Sequence, residues 1–96
     1  MKLQGVIAEM KERKKKLRCQ DLSDYLTKLG FIVRDGKRGG HKVFAHKELT
    51  QFGSGSFNCG HGKNPEIKPV YVTKIIKILE EHALDLEAFL EKEESL

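Results

Sequence analysis

The sequence predicts an α+β domain, with helices packed on one face of a three-stranded antiparallel sheet and one further helix at the N-terminus. Three observations predict it. Two apolar stripes at helical spacing, one within Leu22–Leu29 and one within Val72–Ala83, bracket the centre of the chain. Between them lie short runs of β-branched and aromatic residues separated by glycine-rich turns. The chain has 96 residues, which suits one domain with one modest core and a shallow surface site.

The elements follow in order. Leu3, Val6, Ile7 and Met10 recur every three or four residues and mark one face of a helix, which the polar run KERKKK ends near Arg13–Lys16. Leu22, Leu26 and Leu29 predict a second helix over about Gln20–Leu29. Gly30 stands at its C-terminal cap, and Phe31 covers the last turn. Phe31–Arg34 reads as a first strand, GKRGG as a turn, and His41–His46 as a second strand in hairpin with the first. QFGSGS is a loop, and Phe57–Gly60 a third strand that leads into His61. Pro69 opens a third helix over about Val70–His82. Asp85 is an N-cap candidate for a final short helix before an acidic tail. Strand alternation sends Phe44 towards the helices and leaves His41, Val43 and Ala45 on the open face. Lys42 and His46 then lie on the helix side, at strand ends where they reach water.

Charge is unevenly spread. Residues 1–18 hold seven Lys/Arg against two Glu, residues 19–79 ten against five, and residues 80–96 one against seven, which sum to the net +4. The chain thus divides into a basic N-terminal helical extension (1–18) and a single domain (19–96) that ends in an acidic tail. A basic body suits a polyanionic partner, nucleic acid being the commonest. No apolar run reaches the ~20 residues of a membrane helix, and no apolar block of signal-peptide type is evident near the N-terminus. The expectation is a cytoplasmic protein without a membrane partner, with Cys19 and Cys59 as reduced thiols.

DLSDYLTKLGFIVRDGKRGGHKVFAH, a third strand running to His61 and the helix KIIKILEEH together resemble the HicA-type toxins of bacterial toxin–antitoxin pairs. The shared features are the LxKLGF helix end, the GxH hairpin and the phenylalanine three residues past the histidine, over about Cys19–Phe89. The resemblance implies a double-stranded-RNA-binding-like fold and metal-independent cleavage of mRNA. It also implies neutralisation by a cognate HicB-type antitoxin. The family histidine falls on His41, while Gly40 stands where the family commonly has serine.

The residues suit that chemistry. RNA carries its own nucleophile in the 2′-hydroxyl, and a free imidazole titrates near pH ~6.5, so it can take a proton at neutral pH. Lys37, Arg38, Lys42 and Lys63 are candidate phosphate contacts. The backbone amides of Gly36, Gly39 and Gly40 are candidate donors to a charged phosphate. His61 is a candidate second acid or phosphate contact, and His82 a surface residue of an acidic helix. No cofactor or metal is expected, because CGH and HKVFAH lack the spacing of a structural zinc site. Two other readings compete. One is a non-catalytic RNA-binding module of the same fold. The other is a DNA-binding regulator, for which the helix after Pro69 lacks the usual Arg, Asn and Gln set.

Overall fold

The computed structural model describes residues 2–95. Its elements are α1 (Leu3–Arg13), α2 (Cys19–Lys28), β1 (Ile32–Asp35), β2 (His41–Ala45), β3 (Gly55–Asn58), α3 (Pro69–Glu81) and α4 (Ala83–Glu94). The strands form one antiparallel sheet in the order β1-β2-β3. Cross-strand pairs fix the two faces. Val33, Phe44 and Gly55 share one face, as do Asp35, Lys42 and Phe57, and here Phe44 and Phe57 are buried. The other face carries Ile32 with Ala45, Arg34 with Val43 and Ser56, and His41 with Asn58. Ile32 is 65% exposed on it, so this face is open.

The helices close a single core over the buried face. α2 contributes Leu22, Tyr25 and Leu26, and α3 contributes Val72, Ile75, Ile76 and Leu79. α2 ends in a Schellman motif: Gly30 N–H donates to Thr27 O (3.0 Å) and Phe31 N–H to Leu26 O (3.0 Å), as the Leu-Gly-Phe signal predicts. Although charge sets residues 1–18 apart in the sequence, α1 is no appendage. Leu3, Val6, Ile7 and Met10 belong to the same core, and α1 lies against α3 and α4. Its Arg13 is tied down, donating to the Tyr25 hydroxyl (2.8 Å) and Asp21 (3.1 Å). The Tyr25 hydrogen bond holds that guanidinium's pKa above its usual value.

Several expectations need correction. β3 begins and ends about two residues early. Gly60 and Gly62 have positive φ and turn the chain, so His61 lies in an exposed loop beyond the strand end. The last helix is twelve residues long, with His82 at its N-cap, so Asp85 falls within the first turn. His82 is half-buried with its ring on Phe52 (centroids 5.5 Å). His46 does not reach water. It is 4% exposed, its Nδ1 accepts from Glu48 N–H (3.1 Å) and its Nε2–H donates to Leu29 O (2.9 Å), between the rings of Phe31 and Phe89. Both nitrogens are satisfied, which makes His46 a structural residue.

The cysteines are not free thiols. Cys19, first residue of α2, and Cys59, just past β3, form a disulfide (Cα–Cα 5.3 Å) across 40 residues of sequence. The start of α2 and the end of β3 meet because the 60–67 segment folds back along the chain before α2. There Cys19 N–H donates to Pro65 O (2.9 Å), and Arg18 pairs with Glu66 in an isolated antiparallel bridge. Among the described residues, no helix is long and apolar enough to cross a membrane.

Candidate functional site

Gly36 and His41 face each other across the base of the β1–β2 hairpin. Gly36 N–H donates to His41 O (2.8 Å), and His41 N–H donates to Arg38 O (3.1 Å). The imidazole lies directly over Gly36, so close that a side chain there would occupy the ring's position. A glycine at the hairpin base is therefore what lets the histidine lie flat on the open face.

Its orientation is set from the other side. Asn58 stands opposite His41 in the β2–β3 register, and His41 Nδ1 lies 3.2 Å from Asn58 Oδ1. Asn58 Nδ2 donates to the Tyr71 hydroxyl (3.0 Å), so the Asn58 oxygen faces the imidazole as an acceptor. His41 Nδ1 accordingly carries the proton and donates it, which leaves Nε2 with a free lone pair. Tyr71 comes from α3, so the chain Tyr71–Asn58–His41 ties the open-face imidazole to the helix layer.

His41 opens into a shallow concavity of about 630 Å³ lined by Arg34, Asp35, Gly36, Lys37, Arg38 and Val43. Two arginines and one lysine thus line the same concavity as the imidazole. Asp35 is the opposing charge, and Lys42 neutralises it by donating to its carboxylate. Lys42 is therefore not one of the cations lining the His41 concavity. It lies on the helix-side face of β2 and lines a second, smaller hollow with Gly40, Gly60 and Lys63. The cradle of three glycine amides is likewise reduced. Gly36 N–H is committed to His41 O, whereas those of Gly39 and Gly40 make no hydrogen bond among the described residues. His61 has no partner among the described residues and does not line the His41 concavity. No group of three or more His, Cys, Asp or Glu converges on a point among those residues.

Gly40 has φ +81°, and its carbonyl accepts Cys59 N–H (2.6 Å). A Cβ built there would lie 2.6 Å from Gly60 O. The backbone at Gly40 thus excludes a side chain. Gly40→Ser, although serine is the residue common at this position in the toxins the sequence resembles, should destabilise the fold by about 1–3 kcal/mol through the left-handed backbone and the Gly60 clash. A melting temperature equal to wild type, measured by circular dichroism, would contradict this.

Arg34, Asn58 and Tyr71 were not among the residues picked out by sequence. Arg34 had a legible signal, since it alternates with Val33 onto the face that carries His41. Asn58 required the β2–β3 register, and Tyr71 the docking of α3 on the strand end.

Comparison of the chain with protein-family models, with curated proteins and with solved structures finds no match.

Proposed function

We propose that the chain is a metal-independent endoribonuclease of double-stranded-RNA-binding-like architecture, the toxin of a type II toxin–antitoxin pair acting on mRNA in the cytoplasm. The observation that carries this reading is the held imidazole: His41 fixed through Nδ1 by Asn58, with Nε2 free beside Arg34, Lys37 and Arg38. His41 Nε2 takes the proton of a 2′-hydroxyl, whose oxygen attacks the adjacent 3′-phosphate. The three cations meet the charge that builds on the phosphate oxygens. The bond to the 5′-oxygen breaks, that oxygen takes a proton from water in the open site, and the hydroxide left behind takes the proton held on His41 Nε2, which restores the base. The resemblance of Cys19–Phe89 to the HicA-type toxins supports the same reading. A HicB-type antitoxin would cover the open face, where Ile32, Val43 and Ala45 lie beside the cations.

Product analysis tests it. The 5′ fragment should end in a cyclic phosphate or 3′-phosphate, EDTA should leave the rate unchanged, and RNA with 2′-O-methyl at the scissile nucleotide should bind but resist cleavage. A 3′-hydroxyl product refutes the mechanism, because it requires water as the nucleophile. RNA binding without any cleavage favours the non-catalytic module.

A further inference from the structure

A second basic surface lies apart from the His41 concavity. α1 ends at Arg13, and Lys14, Lys15 and Lys16 form the turn that follows. Lysines near a helix C-terminus often do no more than offset the helix dipole. Here Lys11 and Arg13, in the last turn, already serve that end. Lys11 is also paired with Glu80 and Arg13 with Asp21, while Lys14, Lys15 and Lys16 form no ion pair among the described residues.

The fold joins this turn to the hairpin. Ile67 N–H donates to Leu17 O (2.8 Å), which puts Lys68 opposite Lys16 and Glu66 opposite Arg18. The Arg18 guanidinium donates to Asn64 O (2.8 Å), next to Lys63. Cys19 is bonded to Cys59, whose N–H donates to Gly40 O (2.6 Å), one residue before His41. A ridge of five lysines and one arginine (Lys14, Lys15, Lys16, Arg18, Lys63 and Lys68) therefore runs from the end of α1 to the edge of the His41 site. Glu66 interrupts it opposite Arg18, and the Asp21 carboxylate flanks it there by accepting Arg18 N–H (3.0 Å).

Half of the fourteen acidic residues fall in residues 80–96, most of them on α4. α4 lies where Phe89 meets His46 and where Lys92 pairs with Glu48, past the far end of β2. His41 opens β2 and His46 follows its last residue, a separation of roughly 17 Å at strand spacing. The molecule is thus basic at the His41 end and acidic at the other, a polarity that turns a polyanion towards the basic end.

We propose that this ridge is a second phosphate-contact surface. On it an RNA strand leaving the His41 concavity continues along the 60–68 segment to the Lys14–Lys16 turn. The inference rests on the ribonuclease reading and deepens it: the substrate is an extended strand held by its backbone, and the ridge contributes to binding, not to bond cleavage.

The test uses the full chain with Lys14, Lys15 and Lys16 all changed to Gln, beside the Lys→Arg triple variant and wild type. Binding of a long single-stranded 2′-O-methyl RNA is measured against salt. Each lost phosphate contact on a single strand lowers the slope of log K against log salt by about 0.7, so the Gln variant should lose about 2 from that slope. The Arg variant should keep the wild-type slope, and the rate of cleavage of a dinucleotide should be equal in all three. A wild-type slope in the Gln variant overturns the ridge proposal alone. Failure of wild type to bind RNA removes the ribonuclease reading and the ridge proposal with it. Loss of polyglutamate binding with RNA affinity unchanged would assign the surface to an acidic protein, and overturns the proposal too.

Discussion

His41→Ala should lower the rate of RNA cleavage by about 10²–10⁴, the usual contribution of a general base, while affinity for a 2′-O-methyl RNA changes by only a few-fold. The separation of rate from binding follows from the geometry. The imidazole offers one free nitrogen, and the charges that would hold phosphate belong to Arg34, Lys37 and Arg38. Asn58→Ala should fall between the variant and wild type, because it frees the Nδ1 tautomer and the ring orientation but leaves the base in place. Asn58→Asp makes the sharper comparison. A carboxylate against Nδ1 favours the imidazolium, so the acid limb of the pH–rate profile should move to higher pH. A merely structural role for Asn58 would leave the profile where it was. Retention by His41→Ala of more than about a tenth of the rate would remove the general base from this position.

How much of this was legible in the sequence depends on whether a feature is local. The helix end at Leu29–Gly30–Phe31 was legible because the Schellman motif is written in three adjacent residues. The placement of Phe44 on the buried face and His41 on the open one was legible because strand alternation is local as well. β3 was shifted because Gly55 resembles loop in sequence, yet in the sheet it makes room for the Phe44 ring, which would strike any side chain there. His46 was misjudged because its burial comes in part from Phe89, 43 residues away in sequence on the final helix, whose docking over the strand end no local pattern gives. Within the site, the histidine and the turn cations were legible as types. What orients the histidine was not: Asn58 is read only from the register of β3, and Tyr71 only from where α3 docks. Lys42 counted as a phosphate cation in sequence, but the pairing of Asp35 with Lys42 turns it into a neutralising partner.

Reduction of the Cys19–Cys59 disulfide should be the largest single change in stability available to the molecule short of disrupting the core. The bond closes a loop of 40 residues, for which the chain-entropy relation gives about 4 kcal/mol at 25 °C. Measured disulfides more often contribute about 2–4 kcal/mol. In a domain of this size that range lowers the melting temperature by roughly 10–30 °C. The double variant Cys19→Ser/Cys59→Ser should melt like the reduced wild type, and the oxidised protein should show no titratable thiol. The site should feel the loss less than the fold does. The β2–β3 ladder and the Cys59 N–H bond to Gly40 O hold His41 against Asn58 independently of the sulfurs, so the rate well below the melting temperature should stay within a few-fold of wild type. This matters for the cytoplasmic reading, because thiols there are kept reduced. A toxin working in that compartment would do so as the dithiol, its fold carried by the core that α1, α3 and α4 close. Two results would count against this account: equal melting temperatures with and without reductant, or loss of cleavage in the double variant while it remains folded. The first would mean that the bond constrains little, and the second that the His41–Asn58 pair depends on it.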